Sequence, residues 1–180
     1  GNAYTITVGT ASVTAAALNT VNAATTVNVT ATAVTTITGS SSQLTTTYGG
    51  GMTGLGNEAI TLTDTSISAS TLNTLDGDTT GTINASSVTT ISGTYSQITT
   101  AQSSSGISGL EGVNTIISGN MTVAQANTVA ATTTDPVTAT ITDGDMATLA
   151  GLNETGNAYT ITITDTTVDS TALNELDAKT

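Results

Sequence analysis

The chain has 180 residues, thirteen acids against a single base, a net charge of −12, and no histidine, cysteine, tryptophan or phenylalanine. With Lys179 as its one basic side chain, it cannot neutralise nucleic-acid phosphates or make a polybasic contact with anionic lipid. The missing thiols and imidazoles exclude disulfides, most nucleophile–base pairs and transition-metal sites.

No apolar run approaches the ~20 residues a membrane span needs, so no direct membrane insertion is expected. The size fits one domain or two small ones. With aromatics at 2% and charged residues at 8%, the core must be built from Val, Ile, Leu, Ala and a few Met and Tyr. The surface is then mostly Thr, Ser, Asn and Gly. So few Lys and Arg leave trypsin-like proteases little to cut, which suits an extracellular protein. Residue 1 opens directly onto repeat sequence, so no leader peptide is read there.

In chain order, the first unit is NAYTITVGTASVTAAALNTV (2–21) and the second VTTITGSSSQLTTTYGGGMTGLG (34–56). The first type returns as NEAITLTDTSISASTLNTLD (57–76) and the second as VTTISGTYSQITTAQSSSGISGLE (88–111). Val34 to Val88 and Gln43 to Gln97 are each 54 positions apart. A short and a long unit thus alternate over residues 2–111. Three short units follow, the last of them NAYTITITDTTVDSTALNELD (157–177). The reading is about seven coils: 2–25, 26–56, 57–80, 81–111, 112–134, 135–156 and 157–180.

Each unit opens with period-two alternation that predicts a strand: Thr5–Val8, Ile60–Thr63, Asn114–Ile117, Val137–Thr142 and Tyr159–Thr164. In the last, Tyr159, Ile161 and Ile163 share one face and Thr160, Thr162 and Thr164 the other. Apolar residues at helical spacing follow: Val13, Leu18, Val21; Ile67, Leu72, Leu75; Val168, Leu173, Leu176. Candidate N-caps precede these helices at Ser68, Thr94, Thr122, Asp143 or Asp145, and Asp169. Gly56, Gly77, Gly106 and Gly156 read as terminators. Helices this short are unstable alone, so each unit must stack on its neighbours. The expected fold is a single repeat solenoid over 1–180, α/β or β, in which parallel strands are each followed by a short helix or turn. Crossovers should be right-handed. A doubly wound α/β domain and a β-helix without helices are the competing folds.

Candidate sites are few, and no catalytic residue is found. Asp64, Asp143 and Asp165 fall just after a strand in equivalent places, and Asp76 and Asp78 sit beside Gly77. These five are weak calcium candidates, because the full calcium-loop pattern is absent; the alternative is that they cap helices and favour turns. Calcium is the one cofactor considered. Asn19, Asn73, Asn127 and Asn174 recur at one helix position and read as a structural ladder satisfying successive turns. Thr5, Thr7, Thr61, Thr63, Thr138, Thr140, Thr160 and Thr162 line an outward strand face. They read as a solvated β-surface or as a flat binding face for ice or a glycan surface. Asn28, Asn84, Asn120 and Asn153 lie in N-x-[ST] sequons, so glycans are possible.

The stretch GNEAITLTDTSISASTLNTLDGDTTGTINASSVTTISGTYSQI (56–98) resembles the repeats of giant, low-complexity surface proteins of marine unicellular cyanobacteria. The likeness covers most of the chain. It implies a secreted, cell-surface structural protein, in some members linked to motility or contact with other particles, and it brings no catalytic residue. The three short units after residue 111 depart from the alternation. The expectation is a non-enzymatic spacer, coat or adhesin stalk. The chain reads as a segment of a longer fibre or as a protomer that stacks end to end on copies of itself. The alternatives are a Thr-face binding module and a calcium-stabilised adhesin repeat.

Overall fold

A computed structural model describes residues 2–180, in which short parallel strands alternate with short helices in an α/β fold. In chain order the elements begin β1 (Ser12–Thr14), α1 (Ala15–Ala23), β2 (Thr36–Gly39), α2 (Ser41–Gly49), β3 (Ala59–Leu62), β4 (Ser66–Ser68), α3 (Ala69–Asp78) and β5 (Ile83–Asn84). They continue with β6 (Thr90–Gly93), α4 (Tyr95–Ser103), β7 (Ile107–Ser108), β8 (Asn114–Met121), α5 (Val123–Ala130), β9 (Val137–Ile141), α6 (Met146–Leu149), β10 (Ala158–Thr160) and α7 (Ser170–Asp177).

The chain divides into two compact units. One holds residues up to Ile67 with Thr71–Val88 and Ser104–Gly109. Its sheet runs β1-β2-β3-β5-β7, all parallel. Register carries Val13 onto Ile37, Ile37 onto Ile60, Ile60 onto Ile83 and Ile83 onto Ile107. The result is one column of β-branched side chains, 23 or 24 residues apart, whose three inner members are buried. Each buried Ile contributes roughly 1.5–3 kcal/mol of transfer free energy. That is why strands only two to four residues long persist.

The other unit holds Ser68–Ser70, Thr89–Ser103 and Leu110–Thr180. It carries β10, β9, β8 and β6 of a sheet ordered β10-β9-β8-β6-β4, and these four strands pair in parallel. In β9 Val137, Ala139 and Ile141 face inward while Thr138 and Thr140 face solvent, the alternation a half-buried strand requires.

Helices meet the strands over small residues. A side-chain carbon on Gly39 would lie 2.7 Å from the Ala15 methyl, and one on Gly93 would lie 3.1 Å from the Ala69 methyl. Gln43 and Gln97 stand over the same two glycines. This triplet therefore repeats at 54 residues, once in each unit.

Three details differ from the sequence reading. Thr5–Val8 forms no strand: Thr7 bridges Thr30 singly, and the paired strand of that repeat is β1. Gly9 follows at once, and the edge position leaves one pairing partner. The strand expected over Tyr159–Thr164 is β10, an edge strand paired with β9, which ends at Thr160. Gly77 lies inside α3 and does not end it, whereas Gly56 and Gly156 have φ of +124° and +74°, as chain reversals there demand.

Candidate functional site

The strongest pattern of polar side chains ties each repeat to the one before it. Asp64 follows β3, and its carboxylate accepts from the Ser41 backbone N–H at 2.7 Å and the Ser41 hydroxyl at 3.0 Å. Asp143 follows β9 and accepts from the Val123 N–H at 2.6 Å. Asp165 accepts from the Met146 N–H at 2.7 Å. Ser41, Val123 and Met146 are the first residues of α2, α5 and α6. Each helix thus receives a negative charge at its electropositive start, from an acid 19–23 residues further along.

The N-cap proper is supplied locally. Ser40 and Gln43, and Thr122 and Gln125, form reciprocal capping boxes. Thr94 and Gln97 exchange the same two bonds, at 2.9 and 3.3 Å. Asp145 and Asp169 cap α6 and α7. The hydroxyl and N–H of Thr148 hold the Asp145 carboxyl below its ordinary value of 3.8. The N–H groups of Thr171 and Ala172 do the same for Asp169.

Asn19 and Asn127 occupy the same turn of their helices and both reach the following repeat. The Asn19 amide donates to the Gln43 carbonyl at 2.9 Å, and its oxygen accepts from the Thr47 hydroxyl at 2.8 Å. The Asn127 amide donates to the Gly151 carbonyl at 2.8 Å and its oxygen accepts from the Asn153 N–H at 3.0 Å. Asn73 holds the equivalent place in α3, and Asn174 in α7, where it is exposed.

The five acids read as calcium candidates are dispersed. Asp76 accepts from the Ser104 hydroxyl at 2.7 Å, and Asp78 ends α3 on the side of Tyr48. Among the described residues no group of three or more acids is placed to hold a metal ion.

The threonines form a broken array. Thr140 pairs with Thr160, but Thr138 lies between Ile116 and Ala158. Thr61 pairs with Thr38 on one side and Asn84 on the other. Thr7, Thr30 and Thr53 make a short column of isolated bridges. Thr5, Thr63 and Thr162 are exposed outside the strands. All four sequon asparagines are exposed.

Sequence reasoning passed over one buried carboxylate. Glu58 is fully buried, accepts from the Gly56 N–H at 2.8 Å and from the Tyr48 hydroxyl at 3.0 Å, and its backbone carbonyl accepts from Thr79 at 2.7 Å. Burial, and then the charge of Glu58, raise the Tyr48 phenol above its ordinary value of 10.0. An acid at the position that Tyr4 and Tyr159 hold in the sister repeats was the available signal. Among the described residues no helix is long and apolar enough to cross a membrane. No protein-family model, no curated protein and no solved structure matches this chain.

Proposed function

We propose that this chain is a non-enzymatic structural segment, a stack of solenoid coils within a secreted, fibrous cell-surface protein, acting as spacer, coat or stalk. The observation that carries the reading is the use of polar side chains. Asp64, Asp143, Asp165, Asn19 and Asn127 each spend their hydrogen bonds on a neighbouring repeat. Such residues make a repeat array cohere, in the nearest-neighbour manner of solenoids. The scarcity of Lys and Arg and the resemblance to giant surface-protein repeats support placement outside the cell. The test is a denaturing gel of the source material, probed with an antibody to this segment, together with surface labelling of intact cells. A band of hundreds of kilodaltons accessible from outside is expected. An intracellular band of the segment's own 17.6 kDa overturns the reading.

A second reading, a binding face, draws on the exposed Thr138, Thr140 and Thr160. It predicts thermal hysteresis, or retention on a glycan surface, that is lost on replacing these threonines. A calcium-stabilised adhesin repeat predicts a melting temperature that rises with millimolar calcium.

A further inference from the structure

At three junctions an amide at the start of one strand donates to the backbone carbonyl just ahead of the next. Ile60 donates to Thr82 at 2.9 Å and Ile83 to Gly106 at 2.7 Å in the first unit, and Thr115 to Pro136 at 3.2 Å in the second. At β9 the pattern breaks. The Val137 N–H donates to the side chain of Asn157, at Oδ1, 3.0 Å away. A side chain stands where a backbone carbonyl stands elsewhere. Beside it lies a hollow of about 280 Å³, lined by the turns ahead of β9 and β10. Both turns belong to the second unit.

That bond leaves Asn157 half used. Oδ1 is committed to an N–H, so the amide cannot turn round, and Nδ2 is buried with no acceptor among the described residues. Buried polar groups nearly always find a partner. Asn157 is 7% exposed and, with the buried Ala130, lines the hollow. Asp135, Pro136, Glu154 and Thr155 line it as well, and the last three are exposed. The site therefore combines a sheltered donor with two carboxylates that accept. A cation suits the carboxylates and leaves Nδ2 unmet; an anion suits Nδ2 and is repelled by the carboxylates. A hydroxyl serves both, since its oxygen accepts from Nδ2 while neighbouring hydroxyls donate to the carboxylates. One water would quench Nδ2, but the hollow is roughly nine times a water's share of liquid volume. It stands at the lower edge of ligand-pocket sizes, the scale of one small polyhydroxylated ring. Ala130 and Pro136 offer small apolar surfaces to the C–H groups of such a ring.

We infer that this hollow binds a single hexose ring, one hydroxyl accepting from Asn157 Nδ2 and its neighbours donating to Asp135 and Glu154. This is a binding function beyond the structural role proposed above. It does not rest on that role, and it uses none of the outward strand threonines.

An NMR titration of the full chain tests this, with free hexoses and methyl hexopyranosides of the gluco, galacto and manno series as probes. The expected result is a saturable shift of the Asn157 side-chain amide and of the backbone amides of the two turns. The affinity should be of millimolar order, as no aromatic ring lines the hollow, and unchanged by a calcium chelator. A methyl glycoside that binds as well as its free sugar marks the end of a glycan as the ligand; binding of the free sugar alone marks a soluble one. Asn157→Asp keeps the acceptor for Val137 and removes the donor, so it should abolish the backbone shifts. Glu154→Gln and Asp135→Asn, at less buried positions, should each weaken binding about tenfold or more, the worth of a hydrogen bond to a charged group. They carry the test if Asn157→Asp melts early. No saturable shift with any probe, shifts confined to other residues, binding lost to the chelator, or full affinity in the double variant of Glu154→Gln with Asp135→Asn each overturn the inference.

Discussion

Asp64 shows how one side chain can hold two repeats together. Its carboxylate satisfies an amide and a hydroxyl at the start of α2. Asp64→Ala should cost about 1–2 kcal/mol by urea titration, the range for hydrogen bonds to a charged group on a partly exposed site. Asp64→Asn should recover part of that. Two N-cap carboxylates tie stability to pH. Asp145 and Asp169 have folded-state values below 3.8, so their contribution is present above pH 3.8 and is lost as pH falls through the lower folded values. Far-ultraviolet circular dichroism should show helix loss in that acid window, and a smaller pH-dependent loss in Asp169→Asn. Asp64 and Asp143 stand just after β3 and β9, where the sequence reading put them, whereas Asp165 lies well past the end of β10 at Thr160. The sequence did not reveal their partners, because the donors lie 19–23 residues earlier and only the folded chain brings them together.

At the scale of elements, strand and helix meet through the closeness of Gly39 to Ala15. A methyl at 39 has nowhere to go with the Ala15 methyl 2.7 Å away. Gly39→Ala should therefore destabilise by roughly 1–3 kcal/mol, as overpacking does. Adding Ala15→Gly, which on its own weakens the helix by about 1 kcal/mol, should recover much of the loss. A thermal double-mutant cycle measures that non-additivity. Leu72 and Leu173 give a second contrast. They occupy the same place in their repeats, one buried and one 44% exposed. Leu72→Ala should cost about 2–5 kcal/mol and Leu173→Ala under about 1 kcal/mol. The helices were legible, since Leu and Val at helical spacing follow Ser, Thr or Asp. The strands were only partly so. The triplets Ser12–Thr14 and Ser66–Ser68 hold one apolar residue each, too few for period two to register. That is why β1 and β4 were not foreseen, while β8, β9 and β10 were.

For the whole molecule the dominant facts are a net charge of −12 and phenols in two sheltered places. With one base to offset thirteen acids, self-repulsion opposes compactness. The melting temperature should rise with sodium chloride until the charges are screened. At alkaline pH the sign reverses for Tyr48 and Tyr159. Burial raises both, Tyr159 to about 12, so the stability they lend is full below pH 10 and declines above it. Phenolate absorbance should show these two of the four tyrosines ionising late in the folded protein and together with the others once it unfolds.

The carboxylates that close α2, α5 and α6 from further along the chain also bear on how the chain is made. Synthesis runs from residue 1 onward, so α2 leaves the ribosome before Asp64 exists, and α5 and α6 before Asp143 and Asp165. On a growing chain each of these three helices begins with an amide still awaiting its acceptor, and its first turn is completed only when an acid 19–23 residues later has been added.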